Sequence, residues 1–314
     1  MKIKSYFAIT LSLFVLCSCN NSSSVNLDYL SVKLAGSELW SIIDLKTGEI
    51  VLKDEFKNAP SAISDGIFVV ENSSGKFDYF SLSDVKKPLN SISYIDATTF
   101  KDGKALATLS GKPISLINSN GQTIREFSNE YVRICQFSEG LAVFQDQSDK
   151  FGYINEKGDI VIKAQYNTAN DFSDGIALCK IKDESSSITK TIAIDKTGKE
   201  VFSFTDEDYS SYSYFSHGYL PVIKGGELLF LDKQGRKTFS VCNVKKDGYG
   251  LETFYYSFDG KYITFMEGDL HGIKDKDNNI ILRAKYNNLN SLSILAVQKC
   301  CSNSPFQTMR RHVG

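Results

Sequence analysis

The stretch FGYINEKGDIVIKAQYNTANDFSDGIALC, Phe151 to Cys179, holds one complete copy of a pattern that runs through the whole chain. It starts with a short aromatic and β-branched run, ends that run at a polar anchor, Asn155, and turns at Gly158. A second apolar run follows, and then a phrase, Phe172-Ser-Asp-Gly175, that opens onto a third apolar run. The first half recurs as WSIIDLKTG from Trp40, FDYFSLSD from Phe77, ISLINSNG from Ile114, TIAIDKTG from Thr191, LLFLDKQG from Leu228 and HGIKDKDN from His271. The anchors are Asp44, Ser81, Asn118, Asn155, Asp195, Asp232 and Asp275, spaced by 37, 37, 37, 40, 37 and 43 residues. A fixed period in this range marks a stack or ring of one supersecondary unit. The second half recurs around Gly66, Gly103, Gly140, Gly175, Gly218 and Gly260, with Ile294 in the Gly place of the seventh copy.

Each unit reads as three short strands. An anchor Asp or Asn can accept a hydrogen bond from the backbone two residues on, and the following Gly adopts positive φ at little cost. The strands on either side of that turn therefore form a hairpin with a short Gly-containing loop. The third strand follows the Gly phrase. A further such strand, Asp28 to Leu34, precedes the first hairpin. No segment has helical periodicity long enough to compete. The expected fold is all-β: tandem repeats of about 37 residues, closed into a β-propeller-like ring, with an open twisted array as the alternative.

The unit from Phe151 to Cys179 resembles the bacterial WG (KWG) repeat, whose pattern is Trp-Gly-Tyr-Ile-Asp, a Lys-rich Gly turn, Val-Ile, Tyr, then Phe-Ser-Glu-Gly-Leu-Ala. The resemblance spans residues 28 to 298, strongest in the fourth unit and weakest in the second and sixth. No unit keeps Trp-Gly intact: Trp40 precedes Ser41, Phe151 precedes Gly152 and His271 precedes Gly272. The resemblance implies interaction rather than chemistry.

The N-terminus reads as an export signal. Lys2 and Lys4 precede an apolar run from Tyr6 to Leu16, too short to span a bilayer. Leu16-Cys17-Ser18-Cys19 then fits a lipobox, so residues 1–18 are expected to be removed and Cys19 acylated. Residues 19–27 form a polar tether, and more than one acyl chain would make the anchor stable. Similarity to Gram-negative lipoproteins makes Asn20 point to the outer membrane, periplasmic or surface facing. At the other end, residues 299–314 carry Cys300, Cys301, Arg310 and Arg311 without apolar alternation. That tail is expected to be disordered, and a frameshift or truncation that removed an eighth unit would account for it.

Charge and composition exclude several classes. Removing Lys2 and Lys4 from 36 basic residues leaves 34 against 37 acidic ones, a charge near −3. Scattered charges of that balance are no footprint for nucleic acid. Cys135, Cys179, Cys242, Cys300 and Cys301 show no CxxC spacing, and Cys135 and Cys179 read as buried thiols. The three histidines, His217, His271 and His312, have no zinc spacing, and the first two sit at structural repeat positions. There is no phosphate-binding Gly loop and no nucleophile elbow. Asp275-Lys-Asp277-Asn-Asn279 starts like a calcium loop, but Tyr286 stands where a bidentate Glu should close it. No metal, cofactor or catalytic residue is expected.

Two units carry extra length. The fifth has an insertion in Ser203 to Tyr214 with Tyr209, Tyr212 and Tyr214; the sixth has one in Val241 to Phe254, ahead of Tyr255 and Tyr256. Insertions of neighbouring repeats tend to share a face, and Tyr is common at interface hot spots. These five tyrosines are the candidate binding face, with packing of the divergent units as the competing reading. The expected function is a lipid-anchored envelope scaffold that binds a protein. A glycan-binding module is the alternative and a glycan-active enzyme the minor one.

Overall fold

The computed structural model describes residues 28–182, 189–205, 207–209, 211–212, 214–243, 245–246, 252–253, 258–268 and 270–286. The signal segment, Cys19, the tether, the strand expected at Ile294 to Val297 and the tail lie outside the described residues. The chain packs as two compact units, divided between Asp171 and Phe172.

In the first unit β1 (Tyr29–Lys33), β2 (Trp40–Asp44) and β3 (Ile50–Phe56) make one sheet, and β4 (Ile67–Glu71) and β5 (Phe77–Ser81) the next. A four-stranded sheet follows: β6 (Asp96–Ala97), β7 (Lys104–Thr108), β8 (Ile114–Asn118) and β9 (Thr123–Glu126). Another comprises β10 (Arg133–Ile134), β11 (Leu141–Gln145), β12 (Phe151–Asn155) and β13 (Ile160–Tyr166); β14 (Thr168–Ala169) is the last strand of the unit. The second unit holds β15 (Ile176–Lys182), β16 (Thr189–Asp195) and β17 (Glu200–Thr205), then β18 (Ser211–Tyr212), β19 (Leu220–Lys224), β20 (Glu227–Leu231) and β21 (Lys237–Asn243). It continues with the short pair β22 (Lys245–Lys246) and β23 (Glu252–Thr253) and the sheet β24 (Tyr262–Glu267), β25 (Leu270–Asp275) and β26 (Ile280–Tyr286).

Every sheet runs in chain order through antiparallel neighbours, as the expected hairpins require. The chain is an all-β repeat protein built of small antiparallel meanders. The sheets of β6–β9, β10–β13 and β18–β21 have four strands rather than the expected three. The additional strand is only two residues long each time, too short to leave alternation in the sequence. That brevity is how four strands fit a 37-residue period.

The middle strands are buried on both faces. Leu141, Ala142, Val143 and Phe144 of β11 are all buried, as are Ile176 to Cys179 of β15. One face packs on the sheet before: Ala142, Phe144 and Ile154 meet Leu106 and Leu116 of the preceding sheet. In the second unit Ile176, Leu178 and Ala193 meet Leu220, Val222 and Leu229 in the same way. This sheet-on-sheet burial explains why the strands read as continuous apolar runs rather than alternating ones. Cys179 is fully buried, as expected, whereas Cys135 is partly exposed because it lies beside the connection after β10.

The anchors do what their spacing suggests. Asn155 Oδ1 accepts the backbone N–H groups of Lys157 and Asp159, both at 2.9 Å, while the Gly158 N–H donates to the Asn155 carbonyl at 3.0 Å. Asn118, Asp195, Asp232 and Asp275 bind the N–H groups two and four residues on at 2.8–3.1 Å. Asp44 binds those of Lys46 and Thr47. The Gly phrases are turns of another kind. In Ser173-Asp174-Gly175-Ile176 both central residues have positive φ, +54° and +81°, and Ser173 and Ile176 exchange both backbone hydrogen bonds. This is a type I′ hairpin turn, whose twist matches the strands it joins. Asp65, Asp102, Glu139 and His217 hold the same left-handed position before their glycines.

Gly152 has a separate reason. Across β12 and β13, Phe151 pairs with Tyr166 but Tyr153 pairs with Ile162, so Gly152 alone faces the bulge of Lys163, Ala164 and Gln165. A Cβ on Gly152 would lie 2.5 Å from the Ile162 carbonyl oxygen and 2.7 Å from the Ala164 nitrogen. The same two-against-four register recurs at Gly272, between His271↔Tyr286 and Ile273↔Leu282, and at Ser41, between Trp40↔Phe56 and Ile42↔Leu52. Ser41 is tolerated because its Oγ accepts the Asp54 N–H at 2.9 Å, with Asp54 at φ +52°. Ser115 and Ile192, at the equivalent position, face regularly paired neighbours instead.

Gly152→Ala is therefore expected to lower unfolding stability by about 1–3 kcal/mol, the usual range for overpacking. Ser115→Ala should stay within about 0.5 kcal/mol. Urea denaturation of the two variants checks this, and equal effects would refute the bulge as the reason for the glycine.

Candidate interaction surfaces

At one end of the sheets lie the anchored turns. Asp195, Asp232 and Asp275 are all held below the usual carboxylate range. For Asp195 the main cause is the Thr197 hydroxyl, which donates to Oδ1 at 2.6 Å, with backbone N–H groups adding to it. For Asp275 it is the Asn279 side-chain amide, 2.9 Å from Oδ2. At Asp232 partial burial opposes the shift, but the Arg236 N–H and guanidinium, the latter at 2.7 Å, and the Gln234 N–H outweigh it together. In each case a hydrogen bond to the ionised form favours that form. The hydrogen bonds of Asp275 run to its own turn, as at the other anchors. Among the described residues no group of three metal-ligating side chains comes together.

The second repeat, which starts at Phe77, breaks the pattern. Its anchor is Ser81, whose Oγ binds only the Ser83 N–H, at 3.2 Å, and the Ser83 hydroxyl. No second hairpin strand follows. The chain loops out through residues 82–93 and returns at Tyr94, which exchanges backbone hydrogen bonds with Phe77 at 2.8 and 2.9 Å. Asn90 ties the loop down: its Nδ2 donates to the Tyr94 hydroxyl at 2.6 Å and to the Gly121 carbonyl of the next hairpin at 2.8 Å. A Cβ on Gly121 would overlap the Asn90 amide. Between this loop and that hairpin lies a cavity of about 330 Å³. Beside it Ile92 is 62% exposed, and Ile95 and Val132, ahead of β6 and β10, are 46% and 58% exposed. Nothing in the repeat pattern marked this site; its signal was the one Ser anchor and the missing Gly after it.

Of the candidate tyrosines, Tyr209 is half-buried. It packs edge-on against Phe204, 5.1 Å between ring centres, with the Lys224 ammonium 5.6 Å from its ring. Burial raises its hydroxyl pKa. The turn carrying it is fixed by Asp208, whose carboxylate accepts the Thr205 N–H at 2.8 Å. β17 reaches Thr205, so the insertion begins after that residue rather than at Ser203. Tyr212 lies in β18 opposite Val222, and Tyr214 is half-buried just beyond. Tyr255 and Tyr256, with Cys19, lie outside the described residues. His217 is exposed at its turn, its Nδ1 2.8 Å from the Ser216 hydroxyl, and His271 is buried in β25.

Residues 151–183 match the family described as the WG containing repeat. No curated protein matches the chain. Among solved structures the chain is similar to Kluyveromyces lactis Hsv2p, with 11% identity over 84% of this chain and 97% of that one at a TM-score of 0.46. It is also similar to BamB from Moraxella catarrhalis, with 10% identity over 80% and 92% at 0.35. A protein of unknown function from Bacteroides caccae shows 16% identity over 68% and 92% at 0.34. None of these reaches a TM-score of 0.5, and the fold description rests on the chain's own sheets.

The lowered anchor pKa values make the fold acid-sensitive with a definite sign. A carboxylate whose folded pKa is depressed contributes stability above its unfolded value, near about 3.9, and loses it as pH falls through the folded value. The melting temperature should thus fall below about pH 4. Replacing Asp195, Asp232 and Asp275 by Asn, the residue natural at positions 118 and 155, should keep the fold at neutral pH and reduce that fall. Melting curves from pH 7 to pH 3 check it, and an unchanged slope would refute it.

Proposed function

We propose that this protein is a binding scaffold of the cell envelope, held to the membrane by a lipid on Cys19, whose partner is another protein. The observation that carries this reading is the pair of exposed aliphatic side chains at Ile95 and Val132. They occupy equivalent places in successive sheets: the Ile95 N–H donates to the Thr108 carbonyl at 2.8 Å and the Val132 N–H to the Gln145 carbonyl at 2.9 Å. Large aliphatic groups repeated along one rim, with Ile92 close by, favour association with an apolar protein surface. The backbone beneath them is fixed by the sheet, so little ordering cost attaches to their use. The tyrosine-bearing insertions of the fifth and sixth units form a second proposed face on the same scaffold.

Cross-linking in intact cells tests both. Ile95→Asp with Val132→Asp should reduce partner capture about tenfold, the effect of some 1.4 kcal/mol, while the melting temperature is retained. Tyr212, Tyr255 and Tyr256 changed to Ser should act likewise if that face is used, with Tyr209 left in place because its ring packs on Phe204. Cys19→Ala should move the protein to the soluble fraction. Continued membrane binding would overturn the lipid anchor, and capture unaffected by either set of changes would overturn the two faces.

A further inference from the structure

We propose that the first anchored turn, Asp44 to Val51, rests on the lipid surface to which the chain is tethered, with Leu45, Ile50 and Val51 dipping into the boundary between headgroups and acyl chains. The proposal rests on the lipid anchor at Cys19 and adds to it the part of the fold that meets the bilayer.

The path of the chain puts this turn nearest the anchor. The described fold begins at Asp28, nine residues after Cys19. Such a length of chain reaches at most about 30 Å. Asp28 is fixed beside the turn: its carbonyl accepts the Leu45 N–H at 2.7 Å, and its carboxylate lies 2.8 Å from the Lys46 ammonium. β1 then runs away from the turn, Tyr29 pairing with Asp44 and Lys33 with Trp40. The other end of this sheet, around Ala35 and Gly36, is therefore a strand length further from the anchor, about 13 Å.

The apolar surface is distributed in the same way. Leu45, Ile50 and Val51 are 47%, 44% and 41% exposed, and they are the large exposed aliphatic residues of the first sheet. At the far end the exposed residues are Lys33, Ala35, Gly36 and Glu38. Exposed aliphatic pairs also open the outermost strands at Ile160–Val161 and Ile280–Ile281, so Ile50 and Val51 alone would say little. Leu45 sets this turn apart. In the other turns with an Asp or Asn anchor the next residue is Ser119, Glu156, Lys196, Lys233 or Lys276. Leu82, after the Ser81 anchor, packs on the core. The turn beside the tether alone carries a half-exposed aliphatic side chain at that place.

Three such side chains make a weak membrane contact by themselves. A tether makes that contact intramolecular and raises the effective concentration of the surface to roughly millimolar. Aliphatic groups at the boundary then gain by leaving water. Charge adds nothing: Lys46 stands against Asp28, Asp44 and Glu49, so the turn has no attraction for an anionic surface. The contact is apolar, and a zwitterionic bilayer suffices for it.

The acylated full chain is inserted into dioleoylphosphatidylcholine vesicles, with and without lipid brominated near the headgroup end of its acyl chains, and tryptophan quenching is read. Trp40 is the only tryptophan, so Trp40→Phe, which installs the residue natural at position 151, clears the background. Trp itself favours membrane interfaces, so Ala35→Trp carries the same ring at the far end, and Leu45→Trp should be quenched about threefold more than it. Adding Ile50→Ser and Val51→Ser should cut the Leu45→Trp quenching about twofold, because less apolar surface is buried, at unchanged melting temperature. Raising salt from about 0.1 to about 0.5 M should leave the quenching unchanged, since salt screens charges only. If Trp40→Phe misfolds, Leu45→Trp and Ala35→Trp are compared in the wild-type background. Equal quenching at positions 45 and 35, no effect of the two serines, or quenching lost in salt would overturn the docked turn. The mass of the N-terminal peptide separates the two readings. Acyl groups on Cys19 without preferential quenching at position 45 would remove the docked turn and leave the anchor. An unmodified Cys19 would remove the anchor and the docking with it.

Discussion

One oxygen per unit holds this architecture together. The anchor side chain accepts two backbone N–H groups of its own turn, which point inward and are not used by the strand ladder. That contact fixes where the hairpin reverses and therefore the register of the strand beyond it. Asp and Asn serve equally, because only an acceptor oxygen is needed at that place. Serine does not: its shorter side chain at Ser81 reaches only one N–H, and the second strand of that hairpin is lost. The same turn closes the other end of two sheets, where Asn72 binds the N–H groups of Ser74 and Lys76, and Asp146 those of Ser148 and Lys150.

A second constraint explains the aromatic–glycine pair that is only partly kept here. In the first, fourth and seventh units the aromatic residue or His pairs across the sheet with Phe56, Tyr166 or Tyr286, and the small residue after it faces a bulge of three residues. Each bulge begins with a basic residue, Lys53, Lys163 or Arg283, and lies on the outermost strand of its sheet. Bulges and cations on edge strands are known defences against unwanted strand pairing. These edges need them, since Ile50, Val51, Ile160, Val161, Ile280 and Ile281 are exposed at their beginnings. The pair is therefore intelligible as a device of the sheet.

Much of this was legible in the sequence, for a physical reason. Turn geometry depends on a few residue types, so Asn155, Gly158 and the Asp174-Gly175 phrase announce their conformations. Hairpin order and strand existence followed. Two-residue strands such as Arg133–Ile134 were not legible, because pairing there comes from the neighbouring strand and leaves no alternation. The loop after Ser81 was hidden for the opposite reason. A departure from a repeat looks like mere divergence until the contacts of Asn90 show that it is held. Tyr209 sat between the two readings: its length of insertion suggested a surface, while its ring is half-committed to Phe204 and the core.

Adjacent repeats are also joined through their turns, and this bears on where binding can reside. The Asp65 carboxylate accepts the Gly103 N–H at 2.7 Å, and the Asp174 carboxylate accepts the Gly218 N–H at 2.7 Å, each reaching the next Gly phrase. Gln136 and Thr99 are linked across another pair of repeats, the Gln136 amide donating to the Thr99 carbonyl at 2.8 Å. His217 takes the carboxylate's place beside Gly260, where a Cβ would meet its ring. Polar groups that would otherwise be free to meet a ligand are thus spent on the neighbouring repeat. A surface built this way is rigid but chemically occupied. Departures from the pattern, an added loop or an exposed aliphatic side chain, are not committed in this way, and they can accumulate without loss of fold because each repeat is held chiefly by its neighbours.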